Sequence, residues 1–244
     1  MIVRQFLHTT PAIGISYLFG CGSKRACCVV DPVYVPSFYL DAAESLGMQL
    51  RYVIDTHGHA DHDSTGPALA AAANVPYIMH ASTDAAFQFR PVADGDALEM
   101  GNTLVDVLHL PGHTPEHIGL LVTDRSRSPD PWFIVTGHTL MVGDMGRTEL
   151  ATSATEGAQA LFQSAQRLRG LPDHVEVLPG AFAGSVCGRG LSGKATSTIG
   201  FERRHNRAFS IDDRQAFVDL MLRDIPSPPP AAAATRARNL GRRL

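Results

Sequence analysis

Apolar positions along this chain form short runs, each closed by a turn that carries glycine, proline or histidine. Ile15, Tyr17 and Phe19 recur at every second position, Gly20 to Ser23 turns the chain, and Ala26-Cys27-Cys28-Val29-Val30 is continuously apolar. That pattern predicts two strands, the second buried on both faces. Asp31-Pro32 ends it, because proline lacks the amide that a ladder needs. Further runs at 50–54, 75–79, 103–108, 118–122, 132–135 and 175–178 predict strands of the same kind. Helical spacing occupies four stretches. Phe38, Leu40, Ala43 and Leu46 mark a helix over 36–46 that Gly47 closes. The second runs over 67–73, with Ser64 or Thr65 as cap and Pro67 in its first turn. The others cover 154–168 and 211–222. Residues 184–193, rich in glycine, read as a loop over the site. Strands interleaved with helices place the chain in the α/β class.

Three strand ends open into loops that carry histidine. The densest, Thr56-His57-Gly58-His59-Ala60-Asp61-His62-Asp63, follows the strand to Ile54. Imidazole and carboxylate are the donors that zinc and iron accept, and a polar loop capping a helix does not need so many of them. His113 sits in the rigid turn Pro111-Gly112-His113-Thr114-Pro115, and His138 follows the strand to Val135. Three sequence-distant loops of this kind can converge at one sheet edge, which predicts a single metal-centred site. The metal candidates are His57, His59, His113 and His138. His117 reads as a support for that site or for the fold. His80 and His109 are strand-end histidines without a partner motif, and His8, His174 and His205 read as surface or packing residues.

Composition narrows the class. Hydrophobic residues are 44% of 244, charged residues 18%, and no run approaches the length of a membrane span. The start lacks the pattern of a secretory leader, so the expectation is a cytoplasmic chain with no membrane partner. The net charge of −3 conceals Arg236, Arg238, Arg242 and Arg243 in the tail, which leaves the rest near −7. An acidic body argues against a nucleic-acid surface. Cys21, Cys27, Cys28 and Cys187 lack C-x-x-C spacing and read as reduced thiols. Residues 1–225 form one domain. Residues 226–244, rich in proline, alanine and arginine, have nothing large to bury and are expected to be disordered.

His57-x-His59-x-Asp61-His62 resembles the signature of the metallo-β-lactamase superfamily, and Thr56-His57-x-His59-Ala60-Asp61-His62 is most similar to the form found in persulfide dioxygenases, including their rhodanese-fused branch. Residues 111–117 resemble the second metal motif and 136–148 the third. Ala183 to Gly188, with Ser197 to Arg204, resembles the C-terminal region of the dioxygenases. The resemblance implies an αββα sandwich and a mononuclear iron site that oxidises a thiol persulfide, such as glutathione persulfide, with O2. It carries the ligands onto His57, His113 and His138, gives Asp61 and His62 catalytic roles in orienting substrate, and marks Arg147 and Arg203 as anion-binding candidates. Two positions depart from the pattern. His138 stands where the family has a metal-binding aspartate, and Ala181 where it has a fourth-motif histidine. Without these two a second metal is not expected, and Cys187 reads as a small core thiol. Two alternatives stay open: a zinc hydrolase of a thioester or lactone, resembling glyoxalase II, and a metal- or ligand-binding homologue without catalysis. The partners expected are a small-molecule substrate and, as an open option, a second copy in a homodimer.

Overall fold

The computed structural model describes residues 1–223, 225 and 227–242; Asp224, Pro226, Arg243 and Leu244 lie outside the described residues. Along the chain run β1 (Ile2–His8), β2 (Gly14–Cys21), β3 (Ala26–Val30), α1 (Pro36–Ser45), β4 (Gln49–Ile54), α2 (Gly66–Ala73), β5 (Tyr77–His80), β6 (Arg90–Val92), β7 (Ala97–Met100), β8 (Thr103–His109), β9 (Ile118–Asp124) and β10 (Phe133–Gly137). Then follow α3 (Ala154–Arg169), β11 (Glu176–Pro179), β12 (Ser197–Thr198), α4 (Ile199–His205), α5 (Arg214–Leu222) and α6 (Ala232–Asn239).

The strands form two six-stranded sheets, ordered β1-β2-β3-β4-β5-β6 and β12-β11-β10-β9-β8-β7. Strand period decides what each face meets. In β2, Ile15, Tyr17 and Phe19 point between the sheets, where they join Val105, Val107, Leu120, Val122 and Phe133. The intervening Leu18 packs with Cys27 and Val29 against Tyr39, Ala43 and Leu69 of α1 and α2. β3 is apolar throughout because both of its faces are covered. On the far side of the second sheet, Ile134 and Val177 meet Leu161, Phe162, Ala165 and Phe217 of α3 and α5. Helices outside, two sheets within, makes an αββα sandwich, the architecture the sequence implies.

The four predicted helices are present with shifted ends. α5 starts at Arg214 because Asp213 caps it, its side chain accepting from the Ala216 amide. Thr65 precedes α2 without a side-chain cap bond, and its hydroxyl donates instead to the carbonyls of Pro32 and Tyr34. β1, β6, β12, α4 and α6 are not marked by apolar periodicity.

The tail corrects the expectation drawn from its composition. Residues 232–239 are helical, and Leu240 is buried with the α1/α2 cluster. The anchors are polar. Arg236 pairs with Glu116, Arg238 with Asp63 and Arg242 with Asp84, so arginines that read as solvated meet acids placed elsewhere in the fold.

Candidate metal centre

Each candidate side chain leaves the C-terminal end of a strand. β4 delivers His57, the turn after β8 delivers His113, and the end of β10 delivers His138; all three side chains are buried. Two glycines permit the approach. Gly112, at φ +142°, passes so close to α3 that a Cβ would lie 2.5 Å from the Leu161 Cα. Gly137, at φ +48°, would put a Cβ 2.5 Å from His117 Nε2.

One donor atom each of His57, His113 and His138 lie within 4.8 Å of one another. Hydrogen bonds fix two of the tautomers. Thr56 Oγ1 donates to Asp31 Oδ2 at 2.9 Å, so it accepts from His57 Nδ1 at 2.9 Å and leaves Nε2 a free lone pair. The Arg147 carbonyl accepts from His113 Nδ1 at 2.7 Å, which again frees Nε2. That Nε2 lies 3.4 Å from His138 Nδ1. Burial and the neighbouring imidazoles hold His57 well below the usual histidine range, and burial pushes His113 down to about 3. Burial likewise lowers His138. Three buried neutral imidazoles grouped this closely, two of them with a freed Nε2 lone pair, suit a divalent transition metal.

His59 does not join that group. Its Nε2 donates to Asp31 Oδ1 at 3.2 Å, and although burial opposes charging, Asp31 and Asp61 raise it well above the usual range. Asp61 sits between the two sets. Its carboxylate lies 3.2 Å from His62 Nδ1, 3.7 Å from His59 Nδ1 and 4.0 Å from His138 Nε2, and forms a hydrogen bond with none of them. Both Asp61 oxygens and His57 Nε2 are buried without a hydrogen-bond partner among the described residues. Orphaned buried acceptors beside free imidazole lone pairs fit a bound cation, since burial without a partner is costly. Cys187 also enters the site, offering its sulfur within 4.8 Å of donor atoms of Asp61 and His138. Burial raises its thiol well above the usual value, and the Asp61 charge adds to the rise.

The guanidinium groups of the two arginine candidates are engaged by acids and carbonyls of the fold. Arg147 is buried, pairs with Glu149 and donates to the Val186 carbonyl at 3.1 Å, so it braces the loop that carries Cys187. Arg203 pairs with Asp173 and donates to the carbonyls of Arg169 and Leu171, closing the C-terminal end of α3. His80 and His109 stack on each other with centroids 4.0 Å apart. A cavity of about 510 Å³ next to the third-motif loop is lined by Val142, Gly143, Lys194 and Phe201, and none of the three clustered histidines borders it.

Of the residues that support the site, the sequence marks His117 alone. Asp31 accepts from His59 Nε2 and from the amide and hydroxyl of Thr56, whose Oγ1 in turn accepts from His57. His117 Nε2 accepts from the His138 amide at 3.0 Å while its Nδ1 donates to Thr139 Oγ1, which fixes the backbone at His138. Asn206 donates to the carbonyls of Met141 and Asp144, and Glu202 accepts from the Gly143 amide, so α4 ties down the third loop. Asn239 donates to the carbonyls of His59 and His62 and accepts from the Ser64 amide, clasping the first loop from α6.

Residues 9–180 match the model of the metallo-beta-lactamase superfamily. The chain belongs to this superfamily. Its members are metal-dependent enzymes, hydrolases and dioxygenases among them, that bind zinc or iron. A metallo-beta-lactamase from Staphylococcus aureus subsp. aureus COL superposes with a TM-score of 0.92 at 32% identity, over 98% of this chain and 72% of that one. ETHE1 from Myxococcus xanthus superposes with a TM-score of 0.82 at 28% identity, over 99% of both chains. Among curated superfamily relatives, a hydroxyacylglutathione hydrolase from Rhodospirillum rubrum is 31% identical over 67% of this chain, and the match spans 60% of the hydrolase. The mitochondrial persulfide dioxygenase ETHE1 of Bos taurus is 25% identical over 93% of this chain and 84% of its own length. Among the described residues, no helix is long and apolar enough to cross a membrane.

Proposed function

We propose that this chain is a persulfide-dioxygenase-like enzyme acting on a thiol persulfide such as glutathione persulfide, with one iron ion held by His57, His113 and His138. The observation that carries this reading is coverage. Similarity to ETHE1 structures and sequences runs nearly end to end, whereas the hydroxyacylglutathione hydrolase of R. rubrum matches over two thirds of the chain. Iron(II) in such a site supplies the redox chemistry by which O2 oxidises the terminal persulfide sulfur to sulfite.

The chain's own residues prepare the pocket. Thr56 and the Arg147 carbonyl hold two imidazoles in the tautomer that presents Nε2, and the bond from the His138 amide to His117 Nε2 fixes the backbone that carries the third. Neutral imidazoles leave the cation's charge less compensated than an aspartate would, so the pocket favours an anionic persulfide. Asp61 places a buried carboxylate 4.0 Å from His138 Nε2, and its charge favours the tautomer that keeps the ring proton on that side and leaves Nδ1 toward His113. Oxygen uptake by the iron-loaded protein on glutathione persulfide tests the reading, and sulfite should accumulate with it. The second reading is a zinc hydrolase, favoured by the 31% identity to the hydrolase. Zinc-dependent cleavage of a hydroxyacylglutathione thioester without oxygen uptake would establish that one instead.

A further inference from the structure

The cavity of about 510 Å³ beside the third-motif loop has no part in the chemistry described so far. Its volume lies within the roughly 300–1,000 Å³ of small-molecule sites. Val142 and Gly143 of the loop, Glu176 at the start of β11, and Phe201, Glu202 and His205 of α4 contribute to its walls. Glu202 stands out among them. Its side chain is fully buried, and Oε2 accepts from the Gly143 amide at 2.9 Å and from Asn206 Nδ2 at 2.7 Å. Its Oε1 is also buried but has no hydrogen-bond partner among the described residues. A carboxylate oxygen removed from water without a donor is costly, and a ligand that brings the donor relieves that cost.

The geometry points to a binding site for a small primary amine in its ammonium form, carried on an apolar or aromatic body. The ammonium donates to Glu202 Oε1, Glu176 adds negative charge, and the body lies against Phe201 and Val142. This goes beyond the proposed function and uses none of the clustered histidines.

Several features of the cavity select this class of ligand. Apolar surface stands beside the acids: Phe201 is 56% exposed and tilts against His205 with ring centroids 4.7 Å apart, and Val142 adds an aliphatic wall. The face of an exposed phenyl ring attracts cations as well as apolar groups. Lys194 also borders the cavity, but its ammonium already donates to the carbonyl and hydroxyl of Thr196. An anion would therefore meet two acids and an occupied lysine. A neutral alcohol could offer Oε1 a hydrogen but no charge, whereas a primary ammonium brings both, with donors to spare for Glu176 or water. The Gly143 and Asn206 bonds hold the Glu202 carboxylate in place beforehand, so little ordering is left for the ligand to impose.

Anaerobic calorimetric titration of the full-length chain at neutral pH, with and without added iron(II), tests the site. The probe is benzylamine, with benzyl alcohol as its uncharged analogue and benzoate as its charge-reversed one. Benzylamine should bind with one-to-one stoichiometry and the same affinity whether or not iron is present. Benzyl alcohol should bind at least about tenfold more weakly, and benzoate should not bind. Glu202→Gln should weaken benzylamine binding by about tenfold or more, and Phe201→Ala by about threefold or more. Circular dichroism confirms that each variant is folded. Should Glu202→Gln unfold, Glu176→Gln and Phe201→Ala, both at exposed positions, carry the test. The site is overturned by an absence of benzylamine binding, by equal binding of benzyl alcohol, or by heat that appears only with iron present. Unchanged affinity in folded Glu202→Gln, or in both exposed variants where that chain unfolds, overturns it as well. Oxygen uptake on glutathione persulfide is independent of all these outcomes, so the proposed function stands or falls separately.

Discussion

Arg236→Ala is expected to be among the more destabilising single changes outside the hydrophobic core. Arg236 lies in α6, yet it donates to both oxygens of Glu116 at 2.9 Å and to the Gly58 carbonyl at 2.5 Å, while Glu116 accepts from the Gly58 amide at 2.9 Å. Glu116 is 3% exposed. Removing the guanidinium leaves a buried carboxylate with a single amide donor, and breaking one side of a buried pair costs roughly 3–5 kcal/mol. The arginine side chain is 16% exposed, so water can enter the vacated space, which places the loss near ~3 kcal/mol. At roughly 2–4 °C per kcal/mol for a chain of this length, the melting temperature should fall by about 6–12 °C. The effect depends on pH with a definite sign. In the parent, burial opposes ionisation of Glu116, but the Arg236 bonds keep its pKa below the ordinary value, so its stabilising contribution is present above ~4.3 and is lost as pH falls through the folded pKa. Without Arg236, burial raises it, and the charged form becomes a liability as pH climbs. Urea unfolding at pH ~7 and pH ~4.5 should therefore show the larger difference at the first, where the unpaired charge of the variant costs most. Glu116→Gln in the Arg236→Ala background should recover most of the loss at neutral pH. A loss below ~1 kcal/mol, or one equal at both pH values, refutes the reasoning.

Other expectations are more local. Gly137→Ala forces an L side chain to φ +48° with its Cβ 2.5 Å from His117 Nε2, so it should cost more than ~2 kcal/mol in urea unfolding and lower bound metal at the same time. Metal content after dialysis should fall sharply in His57→Ala and His113→Ala but little in His109→Ala, which stacks on His80, or in His174→Ala, which contacts the Pro131 carbonyl. His8 is held at about 4 by burial and then by the charge of His62, below the ~6.5 of an unfolded chain. Its contribution is thus present above pH ~6.5 and is lost as pH falls toward 4, and His8→Gln should flatten that part of the stability profile measured by thermal unfolding.

The fold was legible where side-chain period is strong. Alternation in Ile15, Tyr17 and Phe19 and the unbroken run from Ala26 to Val30 reveal strands because one or both faces are covered. β1 is half exposed on mixed faces, and α4 is short with a buried Glu202, so neither carries a periodic apolar stripe. The site was legible at the level of motifs: His57, His113 and His138 converge as their strand-end positions imply. Orientation was not legible. Whether His59 faces the cluster or Asp31 depends on a carboxylate 28 positions away, and Arg147 and Arg203 reach the Val186 carbonyl and Asp173, 39 and 30 positions away, through the fold. Composition misread α6 because what fixes it is the matching of three arginines and Asn239 to distant acids and carbonyls, which no local pattern records.

The clasp of Asn239 on the carbonyls of His59 and His62 also has a consequence in time. The two ends of that contact lie 180 positions apart for His59, and about a hundred residues separate His138, last of the clustered histidines, from Asn239. At a synthesis rate of roughly 5–20 residues per second, the ribosome completes all three histidines on the order of 5–20 seconds before it makes the asparagine. During that interval the first loop is untethered from α6, and incoming ions meet it in a looser form than they do once the helix has docked. A chain refolded from denaturant with α6 present and one emerging from the ribosome thus hold the first loop under different restraint while it is open to ions.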